Sequence, residues 1–244
     1  MALNRYFRNR HHSDLHMTNW VDFERWISEV SGITDTTIFR GQSKAWKLLP
    51  SIARKINDQR LLKLEKVSMA QFQERAPRTL QVVPESDWDW LVTAQHHGLP
   101  TRLLDWTEDP MIAMWFALRE ASPTDSAPEI WVMTPLATDV IDDLKHSRPY
   151  AGSRTKAFRA GFNHPRIKAQ KSWFTATKFV DKSSMAFIPI ERNQTLRKRI
   201  QRLRISAFAV PRLQEELKER GYTVAKLMPD TDEVASDIRD AVFR

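Results

Sequence analysis

Two short stretches hold most of the side chains that could do chemistry in this 244-residue chain. In Phe39-Arg40-Gly41-Gln42 an arginine stands where a strand should end, beside a glycine that lets backbone or ligand come close. The guanidinium fork there matches the paired oxygens of a diphosphate or a carboxylate, although a structural ion pair would use the same residue. The second stretch, from Gln95 through His96, His97, Gly98, Leu99, Pro100, Thr101, Arg102, Leu103, Leu104, Asp105 and Trp106 to Thr107, packs His, Arg, Asp and Thr around one turn. That density suits either a reactive pocket or a hydrogen-bond network that stiffens the turn. Adjacent His96 and His97 diverge from any regular element and cannot serve one metal. With no Cys in the chain and no His-x3-His or His-x-His spacing, no metal site is expected. His97 and Asp105 could in principle serve a hydrolase, but no serine stands in a nucleophile elbow to accompany them.

These residues must be placed by regular elements, and the periodicities supply candidates. Trp20, Phe23, Trp26, Ile27 and Val30 share one face of a helix over residues 20–30, capped by Thr18 or Asn19. Residues 36–41 read as a β-branched strand, 52–75 as a polar helical region and 87–97 as a helix broken at Gly98. Residues 101–106 suit a strand, and Asp109-Pro110 opens an almost wholly apolar, hence buried, helix over 111–119. Strands are expected at 129–133, 172–180, 185–190 and 205–210, with a polar stretch at 192–204 and an irregular basic insertion at 144–165. Helices over 212–220, ending at Gly221, and over 230–242 complete the reading. The expected class is α+β, a single mixed domain with a central, mainly antiparallel sheet flanked by helices. A helical segment at 1–32 precedes a domain spanning 33–244.

Composition narrows the partners. Lys and Arg number 38 against 30 acids, and the excess is local: residues 145–204 hold 16 basic residues and only Asp181 and Glu191 as acids. With Phe158, Phe162, Trp173, Phe174 and Phe179 interleaved, this segment could follow a phosphate backbone and stack bases. It could equally dock an acidic protein, or be a solvated face. Arg166, Lys168, Lys171, Arg197, Lys198, Arg199, Arg202 and Arg204 are its candidate nucleic-acid contacts. No apolar stretch follows the basic N-terminus and none reaches 18 residues, which argues against a secretory signal and a membrane span and for a cytoplasmic protein.

The same two stretches carry a resemblance. Phe39-Arg40-Gly41, the run from Trp46 to Arg54, the run from Gln95 to Thr107, and Asp109-Pro110 on to Ala117 resemble the FRG domain family. The runs from Asn163 to Thr175 and from Leu227 to Asp232 are similar to its later motifs, with Ser172 in place of a usual Gly and Met228 in place of a usual Phe. A more distant resemblance, to ADP-ribosyltransferases, implies an NAD-using transferase of that fold. It would make Arg40 the NAD clamp and Asp105, Trp106 and Thr107 the pocket segment, with Gly41, Gln42, Thr101 and Arg102 also at the cofactor. Arg40, His97, Asp105 and Gln170 would be the catalytic group, with Gln170 in the position of the family's late Glu. A neutral Gln can orient a hydroxyl but cannot stabilise positive charge as a carboxylate does, so Asp105 or another acid would have to supply it. By analogy, such an enzyme acts on a nucleic acid or protein as a toxin or anti-phage effector, restrained by an antitoxin or inhibitor. The alternative is a non-catalytic module that binds nucleic acid or protein.

Overall fold

A computed structural model of the chain describes residues 15–31, 36–80, 82–122, 124, 128–161, 164–180 and 184–229. Its centre is an eight-stranded sheet in the order β1-β10-β4-β2-β3-β7-β6-β5. The strands are β1 (Leu15–Met17), β2 (Ile38–Gln42), β3 (Leu103–Thr107), β4 (Glu129–Met133), β5 (Val140–Ile141), β6 (Lys156–Phe158), β7 (Ser172–Ala176) and β10 (Ile200–Ile205). β8 (Phe179–Val180) and β9 (Ala186–Phe187) form a separate hairpin. Only β1 with β10 and β5 with β6 pair parallel; the other ladders are antiparallel, and the fold is the mixed α+β domain expected.

Four helices cover one face. α1 (Trp20–Val30), α4 (Pro110–Leu118) and α6 (Val210–Glu219) close a core with Met17, Phe39, Ile130, Val132, Leu203 and Ile205. α3 (Asp87–His96), backed by α2 (Arg60–Arg75), closes a second core with Leu103, Phe158 and Phe174. The short helices α5 (Pro165–Ala169) and α7 (Val224–Leu227) lie against each other, and α5 also against β7. Among the described residues the opposite face carries no long helix: Leu48, Ile190 and Leu196, from coil and short 3-10 turns, cover Ile38, Leu104, Trp106, Trp131 and Trp173.

The boundaries follow local chemistry. Asn19, Ser86 and Asp109 each accept a backbone N–H as the N-caps of α1, α3 and α4, and Pro110 stands at the first position of α4. Strand β10 corrects the expectation at 205–210. Its signal is alternation, with Gln201, Leu203 and Ile205 buried and Arg202 and Arg204 on the other side, whereas the apolar run after it forms a 3-10 turn and the start of α6. The insertion at 144–165 contributes β6, and the polar region 52–75 becomes helical as α2 only from Arg60. The helix expected over 230–242 lies outside the described residues, as do residues 1–14.

Helix α4 lies almost on the backbone of β2. A Cβ on Gly41 would stand 1.7 Å from the Ala113 carbonyl oxygen and 2.6 Å from the Ala117 nitrogen, so glycine is what lets helix and strand meet. Because the obstacle is backbone, Gly41→Ala is expected to cost more than about 4 kcal/mol or to abolish folding, as read by urea unfolding. Gly98→Ala, at φ +84° with open space around it, should cost only about 1–2 kcal/mol. Equal costs at the two positions would remove the packing role given to Gly41.

Candidate functional site

The sheet is nearly divided in its middle. β2 pairs with β4 at five residue positions and β3 with β7 at five, but β2 meets β3 only at Phe39 and Thr107. Beyond that pair the two strands part. The helical face is split along the same line, with Phe39 and Ala113 in one core and Val92, Leu103 and Phe174 in the other. A cavity of about 420 Å³ occupies this seam and is lined by residues of both cores.

Arg40 spans the gap. Its Nη1 donates to the backbone carbonyl of Asp105 at 2.7 Å and lies 3.8 Å from the Asp105 carboxylate. A guanidinium thus takes the place of ladder hydrogen bonds between β2 and β3. Its Nε is buried with no hydrogen-bond partner among the described residues. Burial pushes the guanidinium below its ordinary pKa and Arg54 adds to this, while Asp105 opposes it. An arginine remains cationic under such pressure.

Asp105 is held from the other side. Gln95 Nε2 donates to its Oδ1 at 2.7 Å, and Gln95 Oε1 accepts from the Thr101 hydroxyl. Thr101 is fixed in turn by Ser51, whose hydroxyl accepts the Thr101 N–H. Through this relay the carboxylate is oriented yet keeps 61% of its side chain exposed at the cavity. Thr107 donates to the Gln170 carbonyl and accepts the N–H of Asp109, which ties β3 to the start of α4 and to the end of α5.

The structure gathers Arg40, Gly41, Asp105, Trp106, Thr107 and Gln170 around the cavity, together with Arg166. Others stand elsewhere. Gln42 is buried and donates to Trp46 O and Glu129 Oε1. Thr101 is buried in the relay behind Gln95. Arg102, 4% exposed, makes a two-point ion pair with Glu65, 2% exposed, under the ring of Tyr150. These three serve the protein interior and do not line the cavity. His97 is exposed just beyond α3, and His96 lines the cavity instead. The signal was helical phase: Val92, Gln95, His96 and Leu99 follow a three-to-four-residue spacing and all face the cavity. Arg54, from the turn after the 3-10 helix Ser51–Ala53, and Phe116, on α4, also line it and were not singled out from sequence.

Gln170 occupies the C-cap of α5, not a strand, and its side-chain amide donates to Leu227 O and lies 3.1 Å from Met228 Sδ. Its polar head is therefore directed at the segment after α6. The basic candidates divide too. Arg166, Lys168 and Lys171 lie on or just after α5, Arg166 lines the cavity, and Lys171 pairs with Asp109 at 2.9 Å. Arg197, Lys198 and Arg199 lie by the opposite face, and Arg202 is drawn to the buried Glu129. Three strands separate β10 from β7, so the eight residues do not share one surface.

Residues 35–126, somewhat over a third of the chain, match the family model described as the FRG domain. The match contains β2, α2, α3, β3 and α4, and with them Arg40, Gln95, His96 and Asp105. α5 and Gln170 fall after it. Neither a search of curated proteins nor one of solved structures found a match.

The Arg102–Glu65 pair holds α2 to the start of β3, within a few residues of the cavity wall. Glu65→Ala leaves a buried cation uncompensated and is expected to cost about 3–5 kcal/mol in urea unfolding. Replacing both partners by apolar residues, Glu65→Met with Arg102→Leu, should recover most of that loss. If the double variant is as unstable as the single one, the pair is not what the interior needs there.

Proposed function

We propose that the cavity binds NAD and that the protein is an ADP-ribosyltransferase-like enzyme acting on a nucleic acid or protein acceptor. The observation that carries this reading is the composition of the seam. Three guanidiniums, Arg40, Arg54 and Arg166, line one cavity with one exposed carboxylate, Asp105, and the rings of Phe39, Phe116 and Phe174. A dinucleotide asks for this combination: cations for the diphosphate, aromatic surface for the flat rings, and an acid beside the reacting sugar. The buried, unpartnered Nε of Arg40 adds a donor that an anionic ligand could satisfy.

Bound NAD supplies an ADP-ribosyl group with nicotinamide as its leaving group. In this reading Arg40 grips the diphosphate, with Arg54 and Arg166 sharing the charge. Asp105, oriented by Gln95, offers negative charge where positive charge develops on the ribose. Gln170 acts through its carbonyl and amide as the post that fixes Thr107 and the segment at Leu227 and Met228. His96 takes the place at the cavity that sequence gave to His97. The setting as a toxin or defence effector, with an inhibitor as partner, follows from the family resemblance.

NAD at 100 times its dissociation constant should stabilise the protein by about 2.7 kcal/mol. For a chain of this size that raises Tm by roughly 5–10 °C. Asp105→Asn should retain this shift while nicotinamide release falls on the order of 10²–10³-fold. Arg54→Ala should weaken the shift with little change in kcat. Absence of both an NAD-dependent shift and nicotinamide release, with purified protein in the presence of RNA, DNA and lysate acceptors, would sink the proposal.

A further inference from the structure

Part of the basic segment is neutralised by acids from the rest of the fold. Lys145 pairs with Glu85, Arg154 and Lys156 with Asp139, Arg159 with Glu108, Lys171 with Asp109 and Arg202 with Glu129. The positive charge left over is not evenly spread. Lys47, Arg192, Arg197, Lys198 and Arg199 belong to the coil and 3-10 turns that cover the face of the sheet opposite α1, α3, α4 and α6, and none of them is in an ion pair among the described residues.

These segments are physically joined. The Ile190 N–H donates to Leu48 O, and Glu191 accepts the Leu48 N–H. Leu48, Ile190 and Leu196 sit in one apolar cluster on that face. Glu191 is the only acid between residues 190 and 204, and its carboxylate is turned inward to that backbone contact. Residues 43–50 contain no acid at all. Two residues before Leu48 stands Trp46, a tryptophan with 54% of its surface exposed. Its backbone is fixed, because Trp46 O accepts from the buried Gln42 amide, so the indole is presented from an anchored loop.

We infer that this face, which carries the exposed Trp46 toward one end of the strands and Lys47, Arg192, Arg197, Lys198 and Arg199 along its covering segments, binds single-stranded nucleic acid. Cations track the phosphates, and an exposed indole stacks on an unpaired base. The indole decides between partners. An indole beside a run of cations, with no acid paired to them among the described residues, matches the alternation of phosphate and unpaired base in a single strand. A polyanion without bases would engage the cations alone, and a duplex offers no base face along its length. The two ribose forms share this chemistry. The site is separate from the cavity at the seam, and it stands whether or not that cavity uses NAD.

The test is fluorescence anisotropy with the whole chain and labelled 12-mers, oligo(dT) and oligo(U), against a duplex and poly-glutamate. Log affinity for the single strands should fall with log salt at about −0.7 per phosphate contacted. Trp46→Ala should weaken single-strand binding at least about fivefold, with unchanged far-UV CD and melting. Arg197→Ala, Lys198→Ala and Arg199→Ala together should flatten the salt slope by up to about 2. Lys145→Ala, at a paired lysine elsewhere, should change neither. Affinity unmoved by Trp46→Ala, or duplex or poly-glutamate bound as tightly as the single strands, overturns the inference. Nicotinamide release without acceptor should be the same in Trp46→Ala as in wild type, so this outcome and that of the NAD assay are read independently.

Discussion

A single guanidinium holds together two halves of a sheet that hardly touch. After Phe39 and Thr107 the strands β2 and β3 separate, and Arg40 supplies Asp105 O with the donor that a strand would otherwise provide. This arrangement explains other features of the molecule. The helical face has two cores because the sheet beneath it is parted. Helix α4 must press on β2 so that the loosened strand keeps its place, and Gly41 makes that possible. The relay from Ser51 through Thr101 and Gln95 to Asp105 secures the facing strand. A protein that only needed a rigid sheet would close the ladder and bury apolar side chains there. Here the ladder stays open, a cation and an acid stand at the opening, and the molecule keeps a cavity between its two cores.

The charge distribution obeys a similar division. A sequence so lopsided, with 16 basic residues in 60 and acids elsewhere, would repel itself if each part kept to its own surface. Folding brings Asp109, Asp139, Glu85, Glu108 and Glu129 against that segment. Part of the basic character is therefore engaged in pairs that link the segment after residue 145 to what precedes it, most of them at the surface. What remains is grouped by location: some at α5 beside the cavity, some along the far face that carries Trp46.

The sequence was most legible where one local rule acts alone. Helix Trp20–Val30 and strand Glu129–Met133 stand where the apolar spacing and the strand-like run put them, because burial on one stripe or both faces leaves a plain signature. It misled at 200–210, where a run of apolar residues outweighed the fainter alternation of Arg202 and Arg204 with Leu203 and Ile205. At the site, Arg40 and Asp105 were legible from residue type and position, but their neighbours depend on distant contacts. Nothing around Arg102 announces Glu65, 37 residues earlier, and nothing around Gln42 announces Glu129. The glycine of Phe39-Arg40-Gly41 was legible as a place of close backbone approach, and the backbone that comes close is that of α4. His96 and His97 differ by one residue, and the end of α3 between them separates the cavity from open solvent.

The parted strands also set how the molecule comes undone. With one residue pair and one arginine joining β2 to β3, the layer of β1, β10, β4 and β2 under α1, α4 and α6 is a cooperative unit distinct from β3, β7, β6 and α3. Opening the line between them breaks few hydrogen bonds and leaves the two helical cores whole. Its main cost is the apolar cluster of Ile38, Leu104, Trp106, Trp131 and Trp173 that crosses the line on the other face. A molecule lodged across it is a clasp, lending the firmer unit's resistance to the weaker one. Occupancy would then be written into the amide-exchange rates of both halves, including strands that never touch the ligand.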